Sequence, residues 1–154
     1  MIVLVDTREK KNGHILKRLK ELNIGYVLKK LDFGDYSFTI DDKSYEHIVA
    51  IERKASLTEL AGNFAGGKKR FHHEFKRASS HKCKMILMVE DASLEQIREH
   101  SYRSSLPPSA FLSRLKTWQY SHQLQVEFVE KSNACDEMLK IFVKYFKKKR
   151  GEGE

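Results

Sequence analysis

Residues 34–54, GDYSFTIDDKSYEHIVAIERK, decide the fold prediction for this chain of 154 residues. The segment Tyr45–Lys54 mixes apolar and polar residues and becomes β-branched towards its end, a pattern that predicts a strand. Because successive side chains of a strand point to opposite faces, Glu52 and Lys54 share one face and Arg53 takes the other. The sequence therefore predicts a carboxylate and an ammonium group side by side at the end of a buried strand.

Asp35 follows a glycine at the start of the preceding predicted strand, and a turn at 41–43 joins the two strands into a hairpin. We therefore expect Asp35 to meet Glu52 and Lys54 in the sheet. Carboxylates are hard oxygen ligands of Mg²⁺ or Mn²⁺, and a neighbouring lysine can hold an attacking hydroxide or neutralise charge on a phosphate. An isolated Glu-x-Lys is more often only the solvated end of a strand, so the interpretation needs support from other motifs.

The rest of the chain predicts an α/β fold. Short apolar runs predict strands at 2–5, 26–31, 35–40, 45–54, 85–90 and 123–129. Helical spacing of apolar residues predicts helices at 14–22, 57–64, 68–84, 91–100, 107–120 and 134–146. This order indicates a central mixed β-sheet flanked by helices, with Trp118 in the core or an interface.

Composition limits the classes of protein. Hydrophobic residues make up 40% of the chain, which suits a single globular domain, and no apolar run approaches the length of a membrane span. Cys83 and Cys135 are too far apart in sequence to suggest a metal site or a disulfide framework. The N-terminus lacks a basic leader. We predict one cytoplasmic domain at 1–146, a flexible tail at 147–154 and no membrane partner.

The distribution of charge indicates a polyanionic partner. The net charge is +8; residues 68–84 contain seven Lys or Arg and one acid, and residues 140–150 contain six basic residues and no acid. Such clusters are typical of nucleic-acid binding. The candidate DNA contacts are basic residues of the first cluster: Lys68, Lys69, Arg70 and Arg77. The C-terminal lysines would assist them.

Asp6, Arg8 and Glu9 follow the first predicted strand directly. The carboxyl ends of strands are where α/β proteins place their ligands, and arginine is well suited to phosphate. The same residues would also suit a loop that places acids near a helix N-terminus. The sequence leaves both interpretations open.

Three motifs together, VDTRE at 5–9, GDY at 34–36 and IERK at 51–54, resemble the XPF family of structure-specific DNA endonucleases within the PD-(D/E)XK superfamily. The resemblance implies a restriction-endonuclease-like fold and Mg²⁺- or Mn²⁺-dependent hydrolysis of phosphodiester bonds. It also implies a branched or flapped DNA substrate in repair, recombination or replication.

The resemblance further implies one catalytic set at the edge of the sheet: Asp6, Arg8, Glu9, Asp35, Glu52, Arg53 and Lys54. Within this set, Asp35, Glu52 and Glu9 would hold the metal ion, and Lys54 would act in catalysis. Asp6, Arg8 and Glu9 would complete the site or contact the scissile phosphate. Arg53 would brace the loop or offer its carbonyl to the metal.

The chain departs from the family in two ways. The family often continues ERK-x-x-x-D, whereas this chain has Thr58 at the place of the aspartate and Glu59 one residue later, as a candidate substitute. We expect no helix-hairpin-helix module, which often follows the family's nuclease domain. This resembles compact stand-alone versions from phages and prophages, which implies the cytoplasm of a bacterial or phage-infected cell. Such a domain would hold DNA through its basic helix, a partner subunit or dimerisation, for which 107–120 and 134–146 are candidates.

Two functions are therefore compared. The first is a metal-dependent DNA endonuclease. The second is a catalytically inactive DNA-binding or scaffolding subunit of a nuclease complex. Inactive partners commonly lose the acids, so the presence of Asp6, Glu9, Asp35, Glu52 and Lys54 favours the enzyme. A sheet-based RNA binder is disfavoured, because no strand carries the pair of aromatic residues that would stack on bases.

Overall fold

A computed structural model describes residues 1–65 and 68–151, and this part of the chain contains one seven-stranded mixed sheet. Its strands are β1 (Ile2–Val5), β2 (Gly25–Leu28), β3 (Tyr36–Ile40), β4 (Lys43–Ser44), β5 (Val49–Lys54), β6 (Lys84–Glu90) and β7 (Gln125–Val129). They lie in the order β2-β1-β3-β5-β6-β7, with β4 paired to β3. β3 is antiparallel to β1 and β5, and the pairs β1–β2, β5–β6 and β6–β7 are parallel. The predicted mixed sheet is confirmed.

Helices cover both faces of the sheet. They are α1 (Gly13–Glu21), α2 (Leu57–Ala65), α3 (Lys68–Ser80), α4 (Leu94–Arg98), α5 (Pro108–Ser121) and α6 (Ala134–Arg150), with a short 3₁₀ helix at Lys131–Asn133. One core lies between the sheet and α2 to α5, and the other between the sheet and α1 with α6. Among the described helices, none combines the length and the apolar character that crossing a bilayer requires.

Strand β6 shows how the sequence builds two cores from one strand. Met85, Leu87 and Val89 belong to the first core, whereas Ile86 and Met88 belong to the second. This alternation follows from the period of two along a strand, and it explains why an uninterrupted apolar run forms a central strand. Trp118 is buried in the first core, which is one of the two locations predicted for it.

The hairpin differs from its prediction. Asp41 and Asp42 form the expected turn, both with positive φ, as in the tight turns that match the twist of paired strands. However, the strand predicted at 45–54 is interrupted: β4 ends at Ser44, and the chain turns before β5 starts at Val49. Tyr45 stacks on Phe38 at a ring distance of 4.3 Å, so this turn is fixed by core packing.

The C-terminal helix is longer than predicted. It continues to Arg150, four residues into the segment that we assigned to the tail, and ends at Gly151 in a left-handed conformation. Lysine is a good helix former and cations favour the C-terminal end of a helix, so this segment extends the helix. Residues 66–67, between the helices predicted at 57–64 and 68–84, lie outside the described part, as do the side chain of Lys68 and the tail residues 152–154.

Candidate active site

Backbone hydrogen bonds bring the three sequence motifs together at one end of the sheet. The N–H of Asp35 donates to the carbonyl of Ile51 at 2.7 Å, and the N–H of Asp6 donates to the carbonyl of Asp35 at 2.8 Å. The N–H of Arg53 donates to Oδ2 of Asp35 at 2.8 Å. These bonds fix the Asp35 carboxylate beside the carboxyl end of β5.

Gly34 allows the close approach of β5 to the chain before β3. Its φ is +65°, and a Cβ atom there would lie 2.8 Å from the carbonyl oxygen of Ile51. Both conditions favour glycine over any other residue. The Gly-Asp motif is therefore a local requirement of the backbone as well as the source of a carboxylate.

Three acids and three cations line a pocket of about 350 Å³ at this position: Asp35, Glu52, Glu74, Arg8, Lys54 and Arg70. Glu52 and Lys54 lie on one face of β5, each 7% exposed, with 2.9 Å between Nζ and Oε1. The ammonium group of Lys54 also lies 4.9 Å from the ring centre of Phe71. The pocket thus holds the predicted neighbouring carboxylate and ammonium groups together with Asp35.

The carboxyl groups of this pocket repel one another. Burial raises the pKa of Glu52 to about 7, against the opposing effect of Lys54 and with a further rise from the charge of Glu74. Burial, and then the charges of Glu52 and Glu9, raise the pKa of Asp35 well above its ordinary value. Burial would lower the pKa of Lys54, but the charge and hydrogen bond of Glu52 outweigh it and raise that pKa. A bound cation would relieve this repulsion.

The donor set suits a hard divalent ion with few protein ligands. Oδ1 of Asp35 and Oε2 of Glu52 make no hydrogen bond within residues 1–65 and 68–151. The same residues contain no cluster of three or more His, Cys, Asp or Glu side chains able to hold a metal. Mg²⁺ commonly takes one or two protein carboxylates, and water and phosphate complete its coordination. The pocket fits such an ion better than structural zinc, which requires four protein ligands.

The carboxylate of Asp6 accepts hydrogen bonds from Arg8 and Leu31. Its Oδ1 accepts from the backbone N–H and Nε of Arg8, and its Oδ2 accepts from Nη2 of Arg8 and the N–H of Leu31 at 2.7 Å. Burial would raise the pKa of Asp6, but the hydrogen bonds from Arg8 and Leu31 outweigh burial and lower it. Asp6 is 1% exposed, and its carboxylate holds Arg8, whose side chain is 53% exposed and lines the pocket. The catalytic role of Asp6 stays a prediction.

Arg53 holds the carboxylate of Glu9, and the role of Glu9 as a metal ligand stays a prediction. Nε and Nη2 of Arg53 donate to its two carboxylate oxygens at 2.9 and 3.0 Å, so neither oxygen is free. Nη1 of Arg53 donates to Glu90 at 3.2 Å, and Nη2 also donates to the carbonyl of Lys10 at 2.9 Å. The guanidinium group of Arg53 therefore braces the loop that contains Glu9 and Lys10, and it does not line the pocket.

Sequence reasoning missed Glu74 and Asn63, which line the pocket from helices α3 and α2. Oε1 of Glu74 accepts from the N–H of Gly34 at 3.1 Å, and its Oε2 makes no hydrogen bond in the described part of the chain. Oδ1 of Asn63 is buried and also has no partner there. One signal existed for Glu74, since it is the single acid in the basic segment 68–84.

Glu59 lies at the margin of the pocket. Its Oε1 is 3.9 Å from Nζ of Lys54, and its Oε2 accepts from the N–H of Ala55 at 2.8 Å. Thr58 instead accepts from the N–H of Arg103 at 3.0 Å, away from the carboxylates. Glu59, one residue after the place where the family has an aspartate, thus approaches Lys54, whereas Thr58 at that place does not.

The predicted DNA contacts are spread over α3. Arg70 lines the pocket, and Lys69 is exposed. Nη2 of Arg77 donates to the carbonyl of Asp32, and its guanidinium lies 5.1 Å from the ring centre of Phe33. Arg77 therefore also fastens the loop before β3, whereas Arg70 shares the pocket with the carboxylates.

Comparison with known proteins gives both a family and a fold. The ERCC4 domain model matches residues 5–142. The structure of XPF from Aeropyrum pernix is similar with a TM-score of 0.69 and 18% identity, over 92% of this chain and 63% of that chain. The structure of XPF from Aeropyrum pernix in complex with DNA gives 0.70 and 18%, over 96% and 66%. No curated protein sequence matches the chain. This chain spans slightly less than two thirds of those structures, and the similarity to them is one of fold.

Proposed function

Because the chain belongs to the ERCC4 domain family, we propose that it is a metal-dependent DNA endonuclease that hydrolyses phosphodiester bonds. The observation that carries the proposal is the pocket in which Asp35, Glu52 and Lys54 meet. Two buried carboxylates with raised pKa values beside a buried ammonium are a typical arrangement of a functional site.

Each residue of the pocket has a distinct proposed role. Asp35 and Glu52 would hold Mg²⁺ or Mn²⁺, which supplies Lewis-acid polarisation of the scissile phosphate and favours ionisation of water. Lys54 is kept cationic by Glu52 and neutralises negative charge that develops on the phosphate. Arg8, held in position by Asp6, extends a guanidinium group to the pocket and binds a phosphate oxygen of the substrate.

The proposed substrate is DNA with a branch or a flap. One of the similar structures is of XPF in complex with DNA, and the family resemblance supports a branched substrate for this chain. Arg70 at the pocket and Lys69 on the exposed side of α3 would neutralise phosphates flanking the cut. A homodimer or heterodimer through α5 or α6 belongs to the same proposal.

The alternative is an inactive DNA-binding or scaffolding subunit, for which Lys69 and Arg70 on α3 would serve without a metal ion. The described residues offer fewer than three carboxylate, thiol or imidazole ligands to a single ion, so metal binding depends on water and substrate. A cleavage assay separates the two functions. Labelled forked, flapped, duplex and single-stranded DNA are incubated with the protein and Mg²⁺, Mn²⁺ or EDTA.

We expect cleavage of a branched form with Mg²⁺ or Mn²⁺ and none with EDTA. Asp35→Asn should abolish cleavage and keep DNA binding. Asp41→Asn is the matched control, because it removes the same charge from the exposed hairpin turn and suits the positive φ found there. Absence of metal-dependent cleavage of every DNA form would favour the scaffolding subunit, and equal cleavage by the two variants would remove Asp35 from the site.

A further inference from the structure

A second, larger cavity lies at the other end of the sheet. It has a volume of about 790 Å³, and Ile48, Lys84 and Gln125 line it where β5, β6 and β7 begin. These strands are parallel, so the cavity opens at their amino ends. Glu52 and Lys54 lie at the carboxyl end of β5, about 10–17 Å from Val49, where the strand begins, at about 3.3 Å per residue. The cavity is therefore separate from the candidate active site.

Five lysines from three parts of the chain surround this cavity, which we call the basic groove: Lys82, Lys84, Lys144, Lys148 and Lys149. Lys82 precedes β6, Lys84 starts it, and the other three lie on α6. No Asp or Glu belongs to the lining within the described residues. Cations gather at the C-terminal end of a helix for local reasons, but this does not explain Lys82 and Lys84.

The charge of the basic groove is not neutralised within residues 1–65 and 68–151. None of its five ammonium groups lies within 4 Å of a carboxylate there, whereas Lys140, one turn earlier on α6 than Lys144, pairs with Glu137 at 2.6 Å. Lys84 donates to the carbonyl oxygen of Gln123 instead. Burial, and then the charge of Lys148, lower the pKa of Lys84. The groove therefore concentrates positive charge that an anionic ligand would stabilise.

The arrangement of the lysines favours a chain of phosphates over a single small anion. Lys144 and Lys148 repeat along α6 at about 6 Å, given a rise of about 1.5 Å per residue, so the charges run along the helix instead of converging on one point. Lysine is a compact charge that neutralises phosphate without the fixed geometry of an arginine fork. Contacts of this kind bind nucleic acid without regard to sequence.

We propose that the basic groove binds the phosphate backbone of a second segment of DNA, one that does not occupy the candidate active site. The proposal rests on the proposed DNA ligand but does not require cleavage. Two segments held at opposite ends of the sheet would suit a branched molecule, whose arms leave the junction in different directions.

Duplex binding in EDTA tests this independently of catalysis. We compare the wild type with Lys82→Gln/Lys144→Gln/Lys148→Gln, and with the control Lys17→Gln/Lys20→Gln/Lys116→Gln, which loses equal charge from exposed positions outside the groove. The loss of three phosphate contacts should reduce the slope of log K against log salt by roughly 2–3, at about 0.9 per contact. The control should reduce it much less. Equal reductions in the two variants would overturn the proposal.

Lysine acetylation of the wild type gives a second readout that does not depend on a variant folding. Duplex DNA should protect Lys82, Lys144 and Lys148 from acetylation more than it protects Lys17. It should also protect these three lysines more than tripolyphosphate does at equal phosphate concentration. Protection by tripolyphosphate that equals or exceeds protection by DNA would overturn the assignment to nucleic acid. Cleavage at saturating DNA should survive in the groove variant and fail in Asp35→Asn, so the groove and the active site can fail separately.

Discussion

Replacing Glu52 by glutamine should remove a loss of stability that the wild type undergoes between about pH 4.5 and pH 7, although it also removes a carboxylate of the candidate active site. Glu52 is 7% exposed, and burial raises its pKa from 4.5 to about 7. Between these values the folded chain binds more protons at this position than the unfolded chain, so the stability of the wild type falls as pH rises from 4.5 to 7. Below pH 4.5 the carboxyl is protonated in both states, and the effect disappears.

The magnitude follows from the difference between the two pKa values. About 2.5 pH units at about 1.4 kcal/mol each correspond to about 3 kcal/mol of lost stability above pH 7. Glutamine stays neutral at all these values and avoids this cost. The free energy of unfolding of the variant, relative to that of the wild type, should therefore rise by about 3 kcal/mol from pH 4 to pH 8.5. An effect of the amide on Lys54 that does not depend on pH leaves this rise unchanged.

Urea unfolding in EDTA at pH 4, 5.5, 7 and 8.5 measures this gain. Glu59→Gln is the matched control, because its side chain is 48% exposed and its gain should stay below about 0.5 kcal/mol. Saturating Mg²⁺ or Mn²⁺ should then stabilise the wild type at pH 8.5 and leave Glu52→Gln unchanged. A difference between Glu52→Gln and the wild type that does not vary with pH would refute the reasoning, since it would mean that Glu52 titrates normally in the folded chain.

Three further predictions concern the frame of the site. Gly34→Ala should destabilise the fold by about 2 kcal/mol or more in urea unfolding, because its φ is positive and the added Cβ would meet a carbonyl oxygen of β5 at 2.8 Å; no loss of stability would contradict the close approach. Arg53→Gln should cost about 3–5 kcal/mol by leaving the buried carboxylate of Glu9 without its partner, and a loss below about 1 kcal/mol in the same assay would show that this pair is not buried in solution. Cys83 and Cys135 should resist iodoacetamide in the folded chain, because burial raises their pKa values to about 12 and about 11; rapid labelling seen by mass spectrometry would contradict their burial.

Those parts of the fold that depend on local periodicity could be predicted from the sequence. The alternation along β5 placed Glu52 and Lys54 on one face and Arg53 on the other, and the structure has the same arrangement. The run at 85–90 gave a central strand. The strand predicted at 45–54 was too long, because the chain turns after Tyr45, whose ring stacks on Phe38 of the neighbouring strand. Hydrophobic periodicity does not record such a contact.

The sequence motifs predicted Arg8, Asp35, Glu52 and Lys54, and these residues line the pocket. Asp6 and Glu9 belong to a loop, and their carboxylates are taken by Arg8 and Arg53, pairings that only the folded chain defines. Glu74 enters the pocket from α3, whose orientation is set by packing against the sheet, so its spacing from the motifs carries no information. Charge counting could have singled it out, as the one acid in a basic helix.

Titration of Mn²⁺ followed by electron paramagnetic resonance tests whether Asp35 and Glu52 share a divalent ion. The free-ion signal should decrease on addition of the wild type. It should be largely restored in Asp35→Asn and in Glu52→Gln, while Asp41→Asn behaves as the wild type. Binding of Mn²⁺ by either pocket variant with wild-type affinity would contradict a shared metal site, and with it the proposed role of this pocket in phosphodiester hydrolysis.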